Sequence, residues 1–268
     1  MKPVIERLIA EDPDPLHRRS IVREYLQARV LQCLQDSGAF SHWAFLGGTA
    51  LRFLYELPRY SEDLDFSVAE TKASPEFERH IERIVRTLSR EAYDVDAKPT
   101  GDAAVRSAFI RFRGLLHELG MSGHRDEVVT VKVELDTNPP QGAVTETRIL
   151  RRYVLLNVLH YDRASLFAGK IHAILARRYT KGRDLYDLMW YLSDATWPGP
   201  NLGFLNRALE QTFWSGPTLT PENWRPVVRG ALEQVDWRRA VEDVSPFLER
   251  PTEADFIRPE TFDELLGY

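Results

Sequence analysis

Two short stretches in the first third of the sequence combine residue types suited to holding a phosphate and a metal ion. In the first, an apolar run ends in Gly47, Gly48 and Thr49, and a short helical pattern follows. A Gly-Gly turn lets backbone N–H groups approach an anion closely, and the positive end of a helix that begins at Thr49 points the same way. In the second, Asp63 and Asp65 alternate with apolar residues, as in a strand with one buried face. The two carboxylates then share one face and suit a divalent cation such as Mg²⁺ or Mn²⁺.

Further acids lie on a strand predicted over residues 128–136. Its alternation turns the valines toward the core and leaves Lys132, Glu134 and Asp136 on the other face. Glu134 and Asp136 are therefore both candidates for a third carboxylate. A salt bridge from Glu134 to Lys132 or to a neighbouring arginine is the simpler explanation of that acid. Ser61 lies two pleats before the second aspartate and shares its face.

Phosphate chemistry at such a site would also need cations that stabilise the charge of the reacting phosphates. Lys170 and Arg177 lie two turns apart on one polar side of a predicted helix, residues 162–179, whose small neighbouring side chains leave room for a ligand. Asp184 and Asp187 share one face of the next predicted helix. Each has a simpler explanation as well, because Lys170 can be solvated, Asp184 can cap its helix, and Asp187 can oppose the helix dipole.

The elements that must position these residues follow from the hydrophobic periodicity, which predicts an α+β fold. The predicted strands cover 93–98, 105–112, 128–136 and 147–156, in addition to the two that flank the glycine turn. The predicted helices cover 17–35, 50–55, 75–91, 162–179, 184–192, 203–213, 221–234 and 237–248, and residues 113–127 are predicted as a hairpin loop. Strand patterns stop near residue 158. We therefore expect a mixed sheet with helices in residues 1–157 and a C-terminal helical bundle in residues 158–268.

The composition is that of an ordinary globular protein, since 43% of the 268 residues are hydrophobic and 28% are charged. No apolar run reaches the roughly 18 residues that a membrane span needs. The N-terminus shows no basic-then-apolar signal pattern, so we expect a cytoplasmic protein without a membrane partner. The single cysteine, Cys33, excludes an internal disulfide and lies in an apolar helical pattern typical of a buried thiol.

The net charge of the chain argues weakly against a protein that coats nucleic acid. The net charge is −5, whereas binding to phosphates is driven by basic side chains. Basic residues nevertheless concentrate in the middle of the sequence: Arg148, Arg151, Arg152, Arg177, Arg178, Lys181 and Arg183. This concentration indicates either a solvated face or a local surface for nucleic acid.

The glycine turn and the two-aspartate strand together resemble the polymerase-beta-like nucleotidyltransferases. The fuller motifs, Gly47 to Leu51 and Arg59 to Phe66, resemble one branch of that superfamily, the AbiEii-type toxins, which include the MenT toxins. Two later motifs of this branch are also present, a Lys-x-x-Ala-x-x-x-Arg helix from Lys170 to Arg177 and an Arg-Asp-x-x-Asp helix from Arg183 to Asp187. The resemblance covers roughly residues 44–192.

This resemblance implies a role for each candidate residue. The metal ligands would be Asp63, Asp65 and Glu134, since Glu134 matches the third acid that the superfamily places on a later strand, with Asp136 as the second choice. The catalytic residues would be Asp63, Asp65, Lys170 and Asp187. The nucleotide-binding residues would be Gly47, Gly48, Thr49, Ser61, Lys170, Arg177 and Asp184. In some MenT-like toxins the serine at the position of Ser61 is a site of inactivating modification, so this residue is also a candidate control point.

The resemblance also implies the reaction. It predicts a toxin of a toxin–antitoxin or phage-defence system that transfers a nucleoside monophosphate from an NTP to the 3′ end of tRNA and so blocks translation. A cognate antitoxin, encoded nearby, is the implied protein partner. A nucleotidyltransferase acting on a small molecule or a protein would use the same metal site, and a degenerate fold kept as an interaction module is the non-catalytic alternative.

Overall fold

The structure is a computed structural model, which describes residues 2–69, 76–101 and 104–267. Its strands are β1 (Trp43–Leu46), β2 (Asp63–Val68), β3 (Val95–Gly101), β4 (Val105–Arg113), β5 (Val128–Asp136), β6 (Thr145–Arg152) and β7 (Val154–Tyr161). They form one seven-stranded sheet in the order β3-β4-β5-β2-β1-β7-β6. β2 pairs in parallel with β5 and antiparallel with β1, so the sheet is mixed, as predicted. The candidate acids therefore lie on central strands, away from the sheet edges.

Alternation along the two central strands buries one face and leaves the other partly exposed. In β2, Leu64 and Phe66 are buried, whereas Asp63 and Asp65 are partly exposed. In β5 every second residue from Val129 is buried, and the intervening polar residues are not. Both patterns confirm the predicted faces, because side chains of a strand alternate between the two sides of its sheet.

Helices of the first half of the chain pack beside the sheet, and helices make up most of the second half. They are α1 (Lys2–Ile9), α2 (Pro15–Asp36), α3 (Gly47–Tyr55), α4 (Phe77–Arg90), α5 (Leu115–Glu118), α6 (Arg163–Ala176), α7 (Gly182–Leu192), α8 (Leu202–Gln211), α9 (Trp224–Leu232), α10 (Trp237–Val244) and α11 (Pro259–Leu266). Asp14 caps α2 by accepting the Leu16 N–H, and Asp162 caps α6 by accepting the Ser165 N–H. No helix in the described ranges is long and apolar enough to cross a membrane.

The chain divides into two compact units. The first contains Met1–Tyr55, Tyr60–Asn138 and Glu146–His160, and the second contains Glu56–Arg59, Pro139–Thr145 and Tyr161–Tyr268. The first unit therefore extends through most of β7 to His160, and two short segments that precede β7 in the sequence belong to the helical unit. One of these segments contains Arg59, which therefore belongs to the second unit together with helix α7.

Several elements differ from those predicted. The single strand predicted over 147–156 is two strands, β6 and β7, separated by Tyr153, whose backbone φ of 62° lies in the left-handed region. A tyrosine rarely adopts this conformation, so no sequence pattern signals the break. The predicted loop at 113–127 contains the short helix α5, and α1 and α11 were not predicted. The predicted helix start at Pro75 lies outside the described residues.

Candidate functional site

The glycine turn lies directly against the second aspartate of β2. Gly47 has a φ of 81°, and a Cβ atom placed on it would lie 3.1 Å from the Asp65 carboxyl carbon and closer still to one of its oxygens. Only glycine therefore suits this position, both for its conformation and for its space. Helix α3 begins at Gly47 rather than at the predicted Thr49, so the N–H groups at its first turn lie beside Asp65.

Thr49 links the same turn to Asp63, the first aspartate of β2, by a hydrogen bond. Its side chain is fully buried, and its hydroxyl donates a hydrogen bond to the backbone carbonyl of Asp63. The first turn of α3 is thus joined to β2 at both aspartates, by close packing at Asp65 and by this hydrogen bond at Asp63. The hydroxyl that the sequence offers as a nucleotide ligand holds the turn in place in this structure.

Strand register determines which third acid lies beside the two aspartates. Asp65 pairs directly with Glu134 of β5, and Asp63 pairs with Lys132. Directly paired residues of neighbouring strands project to the same face, so these four side chains share one side of the sheet. The Lys132 ammonium lies 2.8 Å from a Glu134 carboxylate oxygen, which is the salt bridge considered from the sequence.

The charges around Lys132 show how acidic this surface is. Burial lowers the pKa of Lys132, but the hydrogen bond and charge of Glu134, together with the charges of Asp63 and Asp65, outweigh it and raise the pKa above its ordinary value. The ammonium therefore partly neutralises three carboxylates. A divalent cation placed between the aspartates would take over that neutralisation.

Asp136, the second choice for the third carboxylate, lies one pleat further along β5. It pairs with Ser67 rather than with either aspartate of β2, and its carboxylate accepts the backbone N–H of Asn138 at 2.8 Å. Burial raises the pKa of Asp136. Register therefore favours Glu134.

In the described part of the chain, no three His, Cys, Asp or Glu side chains are already arranged to hold a metal ion. The residues instead fit a cation held by one or two carboxylates, with water and phosphate oxygens as its other ligands.

Replacing Gly47 by alanine tests the close approach. The added methyl group would displace Asp65 and force alanine into a left-handed conformation that costs about 1–2 kcal/mol. We expect a lower melting temperature and a loss of at least about 100-fold in the nucleotidyl transfer that the motifs imply, because displacements of 1 Å have effects of this size. Gly123→Ala, at a loop position whose added Cβ would meet no atom within 4 Å, is the control and should change neither property. Unchanged transfer by Gly47→Ala would show that the turn does not serve the reaction.

A second group of charged residues lies in the helical unit and centres on Asp187. This carboxylate is completely buried and accepts two hydrogen bonds from Arg59, at 2.6 Å from Nε and 2.7 Å from Nη2. The Lys170 ammonium lies 2.6 Å from one of the same oxygens. Burial alone would raise the pKa of Asp187, but the charges of Arg59 and Lys170 and their hydrogen bonds hold it below its ordinary value. The residue is therefore an ionised carboxylate held by two cations.

Asp184 lies about one turn before Asp187 in α7 and belongs to the same group of charged residues. It lies 3.3 Å from the Lys170 ammonium and also pairs with Arg177, so both cations of the predicted Lys-x-x-Ala-x-x-x-Arg helix meet the same carboxylate. Asp184 does not cap α7, because that helix begins at Gly182 after Lys181 without a side-chain cap. Arg177 lies just beyond α6, at its C-cap with an extended backbone, rather than inside the predicted helix, but it pairs with the same carboxylate as Lys170.

Sequence reasoning missed the partners of the predicted residues. Arg59 belongs to the Arg-Tyr-Ser-Glu-Asp motif but has no role predicted from the sequence, and its pairing with Asp187 joins positions that are 128 residues apart. For Lys132, the sequence predicts only a salt bridge with Glu134. For Ser61, the backbone carbonyl accepts a hydrogen bond from Gln27 of α2 at 3.0 Å, and its side chain is partly exposed.

The mixed sheet carries a glycine turn packed against a two-aspartate strand, the two elements whose motifs resemble those of nucleotidyltransferases. The model of the AbiEii family, described as a nucleotidyl transferase toxin of a type IV toxin–antitoxin system, matches residues 29–267. The chain therefore belongs to the AbiEii nucleotidyltransferase toxin family.

Solved structures agree on the fold. The nucleotidyltransferase toxin MenT4 from Mycobacterium tuberculosis H37Rv superposes with a TM-score of 0.58 at 17% identity, covering 99% of this chain and 89% of that one. JHP933 from Helicobacter pylori superposes with a TM-score of 0.54 at 17% identity, covering 92% of each chain. No curated protein matches the sequence.

Proposed function

We propose that the protein transfers a nucleoside monophosphate from an NTP to the 3′ end of tRNA in a metal-dependent reaction. The observation that carries this proposal is the packing of the Gly47 turn against Asp65, beside Asp63 on the same strand. Backbone N–H groups at the start of a helix bind phosphate, and paired carboxylates bind the divalent cation that accompanies it. Membership of a nucleotidyltransferase toxin family supports this use of the site.

The acids of the sheet supply the metal site in this proposal. Asp63 and Asp65 hold Mg²⁺ or Mn²⁺, and Glu134, paired with Asp65 in the sheet, is the third ligand once it leaves Lys132. The bound metal contributes charge neutralisation on the phosphate oxygens. The N–H groups of the first turn of α3 bind the phosphates, with Gly47 allowing the close approach.

The helical unit contributes cations and a carboxylate. By the resemblance of their motifs, Lys170 contacts the triphosphate with Arg177, and Asp187 acts in catalysis with Asp63. The contacts with Asp184 and Asp187 keep Lys170 in a fixed orientation and half-buried. Phosphate binding by Lys170 then requires the ammonium to exchange one carboxylate partner for a phosphate oxygen. Arg59 would hold Asp187 ionised during that exchange.

The acceptor in this proposal is the terminal 3′-hydroxyl of tRNA. Its oxygen attacks the α-phosphorus in line and gives up the hydroxyl proton, while the bond from that phosphorus to the oxygen bridging to the β-phosphorus breaks and pyrophosphate leaves. The exposed arginines Arg151 and Arg178 suit contacts with the phosphates of an acceptor stem, mainly by charge and shape. Several other basic residues of the predicted cluster make contacts within the protein, since Arg152 pairs with Glu24 and Arg183 stacks on Phe247. Blocked tRNA ends would stop translation in the cytoplasm until the antitoxin counteracts the toxin.

Incubation with total tRNA, Mg²⁺ and each labelled NTP in turn tests the assignment. We expect label to enter tRNA with one NTP and to depend on added Mg²⁺ or Mn²⁺. An Asp63→Asn variant, checked for folding by circular dichroism, should leave tRNA unlabelled. If no NTP labels RNA although the protein binds NTP with Mg²⁺, the tRNA assignment is wrong. Labelled small molecules or proteins would then identify the acceptor instead.

A further inference from the structure

Helix α2 contacts two parts of the candidate site in the first unit: helix α3, which begins at the glycine turn, and the segment that leads into β2. Helix α2 presents Arg23, Glu24 and Gln27 toward the segments that surround the glycine turn and β2. Gln27, which is 1% exposed, donates a hydrogen bond from Nε2 to the Ser61 carbonyl oxygen at 3.0 Å. Arg23 pairs with Glu62 at 3.0 Å. The two residues that directly precede Asp63 are therefore both bound to α2.

Glu24 attaches the same helix to α3. Its carboxylate is 2% exposed and pairs with Arg52, which lies one turn after Thr49 in α3 and is equally buried. Arg152 and the Tyr153 hydroxyl bind the other oxygen of Glu24, at 2.9 Å and 2.7 Å. A buried carboxylate with three partners is a rigid attachment, because each lost partner would leave a buried polar group unpaired.

A third contact links helix α3 directly to the segment before Asp63. The Arg52 guanidinium carbon lies 4.2 Å from the centre of the Tyr60 ring, within the range of a cation–π contact. Tyr60 directly precedes Ser61, whose carbonyl is bound by Gln27. The helix that begins at the glycine turn and the segment that leads into Asp63 thus contact each other. Both are also bound to α2, the helix through Glu24 and the segment through Arg23 and Gln27.

We propose that Glu24 and Gln27 are positioning residues, which hold the glycine turn and strand β2 at the spacing that nucleotidyl transfer requires. This inference rests on the proposed function. Neither side chain touches a reacting atom in this assignment. They act through Arg52 and the Ser61 carbonyl, and their effect is on the geometry between the N–H groups of the turn and the carboxylates of Asp63 and Asp65.

The test compares Gln27→Met with Val22→Ala in the full-length protein. Methionine keeps the volume of glutamine and removes the hydrogen bond to Ser61. Val22 is fully buried on the same helix but points away from Gln27 by about 140°, at about 100° per residue, so Val22→Ala destabilises α2 without touching the site. We expect Gln27→Met to lower kcat by about 10- to 100-fold with KM for the NTP nearly unchanged. Val22→Ala should keep both values at temperatures where each variant is folded.

A second variant, Tyr153→Phe, and a second measurement, hydrogen exchange, test the inference independently of the kinetics of Gln27→Met. Tyr153→Phe removes only the hydroxyl bond to Glu24 and should lower kcat by about 3- to 10-fold. Hydrogen exchange measured by mass spectrometry should quicken selectively at residues 60–66 in Gln27→Met and not in Val22→Ala. This readout needs no activity, so it decides the inference even if the wild-type protein transfers nothing and the proposed function is wrong.

Two results would overturn the inference. One is a kcat for Gln27→Met and Tyr153→Phe that equals that of Val22→Ala, which would make the contacts of α2 purely structural. The other is exchange at residues 60–66 that is the same in Gln27→Met and Val22→Ala. If Gln27→Met fails to fold, the Tyr153→Phe rate decides the question.

Discussion

Replacing Arg59 by leucine is expected to lower the free energy of unfolding by about 3–5 kcal/mol, the usual effect of removing one partner of a buried ion pair. Asp187 and Arg59 are at most 2% exposed, so water cannot replace the lost guanidinium. The Asp187 carboxylate would keep only Lys170 as a charged partner. Urea denaturation followed by circular dichroism measures the change. Arg79→Leu, which breaks an exposed pair with Glu76, is the control and should change the free energy by less than about 1 kcal/mol.

The double variant Arg59→Leu, Asp187→Leu separates the cost of an unpaired charge from the loss of packing. Replacing both partners of a buried pair by apolar residues is often close to neutral, so we expect the double variant to be more stable than Arg59→Leu alone. A double variant that loses the sum of the two single effects would contradict this explanation. Its transfer activity should nevertheless be absent, because the proposed catalytic carboxylate is gone.

The same pair predicts how stability depends on pH. The pKa of Asp187 is lowered in the folded protein, so its contribution is fully present above the unfolded value of about 3.9. That contribution is lost as the pH falls through the lower, folded pKa. The wild-type protein should therefore lose stability on acidification in this range, and Asp187→Leu should lose less over the same range.

The regular parts of the fold follow from local patterns and could be predicted from the sequence. Strand β5 has the predicted bounds, Val128–Asp136, because strict alternation identifies a strand with one buried face. The common face of Asp63 and Asp65 follows from the pleat for the same reason. The split between β6 and β7 could not be predicted, since it depends on a left-handed tyrosine that tertiary contacts stabilise.

The residue types of the candidate site could be predicted from the sequence, but most of the contacts between its residues could not. Two glycines before a helix indicate an anion site, but only the three-dimensional structure shows that Gly47 packs on the carboxylate of Asp65. The pairing of Arg59 with Asp187 has no local pattern, because it joins a segment before β2 to helix α7. Long-range ion pairs of this kind depend on the whole fold. The sequence therefore proposes the acids and Lys170 as site residues, and among their partners it offers Lys132 for Glu134 but not Arg59 for Asp187.

The second large effect is expected at the acids of the sheet. Asp63→Asn and Asp65→Asn keep the shape of each side chain and remove one negative charge, so we expect nucleotidyl transfer to fall by about 1,000-fold or more, the upper range for removing a preorganised electrostatic contact. Glu134→Gln should have a smaller effect, about 10- to 100-fold, which added Mg²⁺ partly reverses. The reason is that Glu134 pairs with Asp65 in the sheet but is held by Lys132, so in the proposed metal site it would only add to the two aspartates.

A Mg²⁺ titration of transfer by Glu134→Gln and Asp136→Asn distinguishes the two candidates for the third ligand. Glu134→Gln should raise the Mg²⁺ concentration for half-maximal transfer, whereas Asp136→Asn should keep the wild-type value, because Asp136 pairs with Ser67 and binds the Asn138 N–H. The opposite result would assign the third carboxylate to Asp136. Equal behaviour of both variants and the wild-type protein would mean that Asp63 and Asp65 hold the metal with water and phosphate oxygens alone, a coordination that Mg²⁺ commonly adopts.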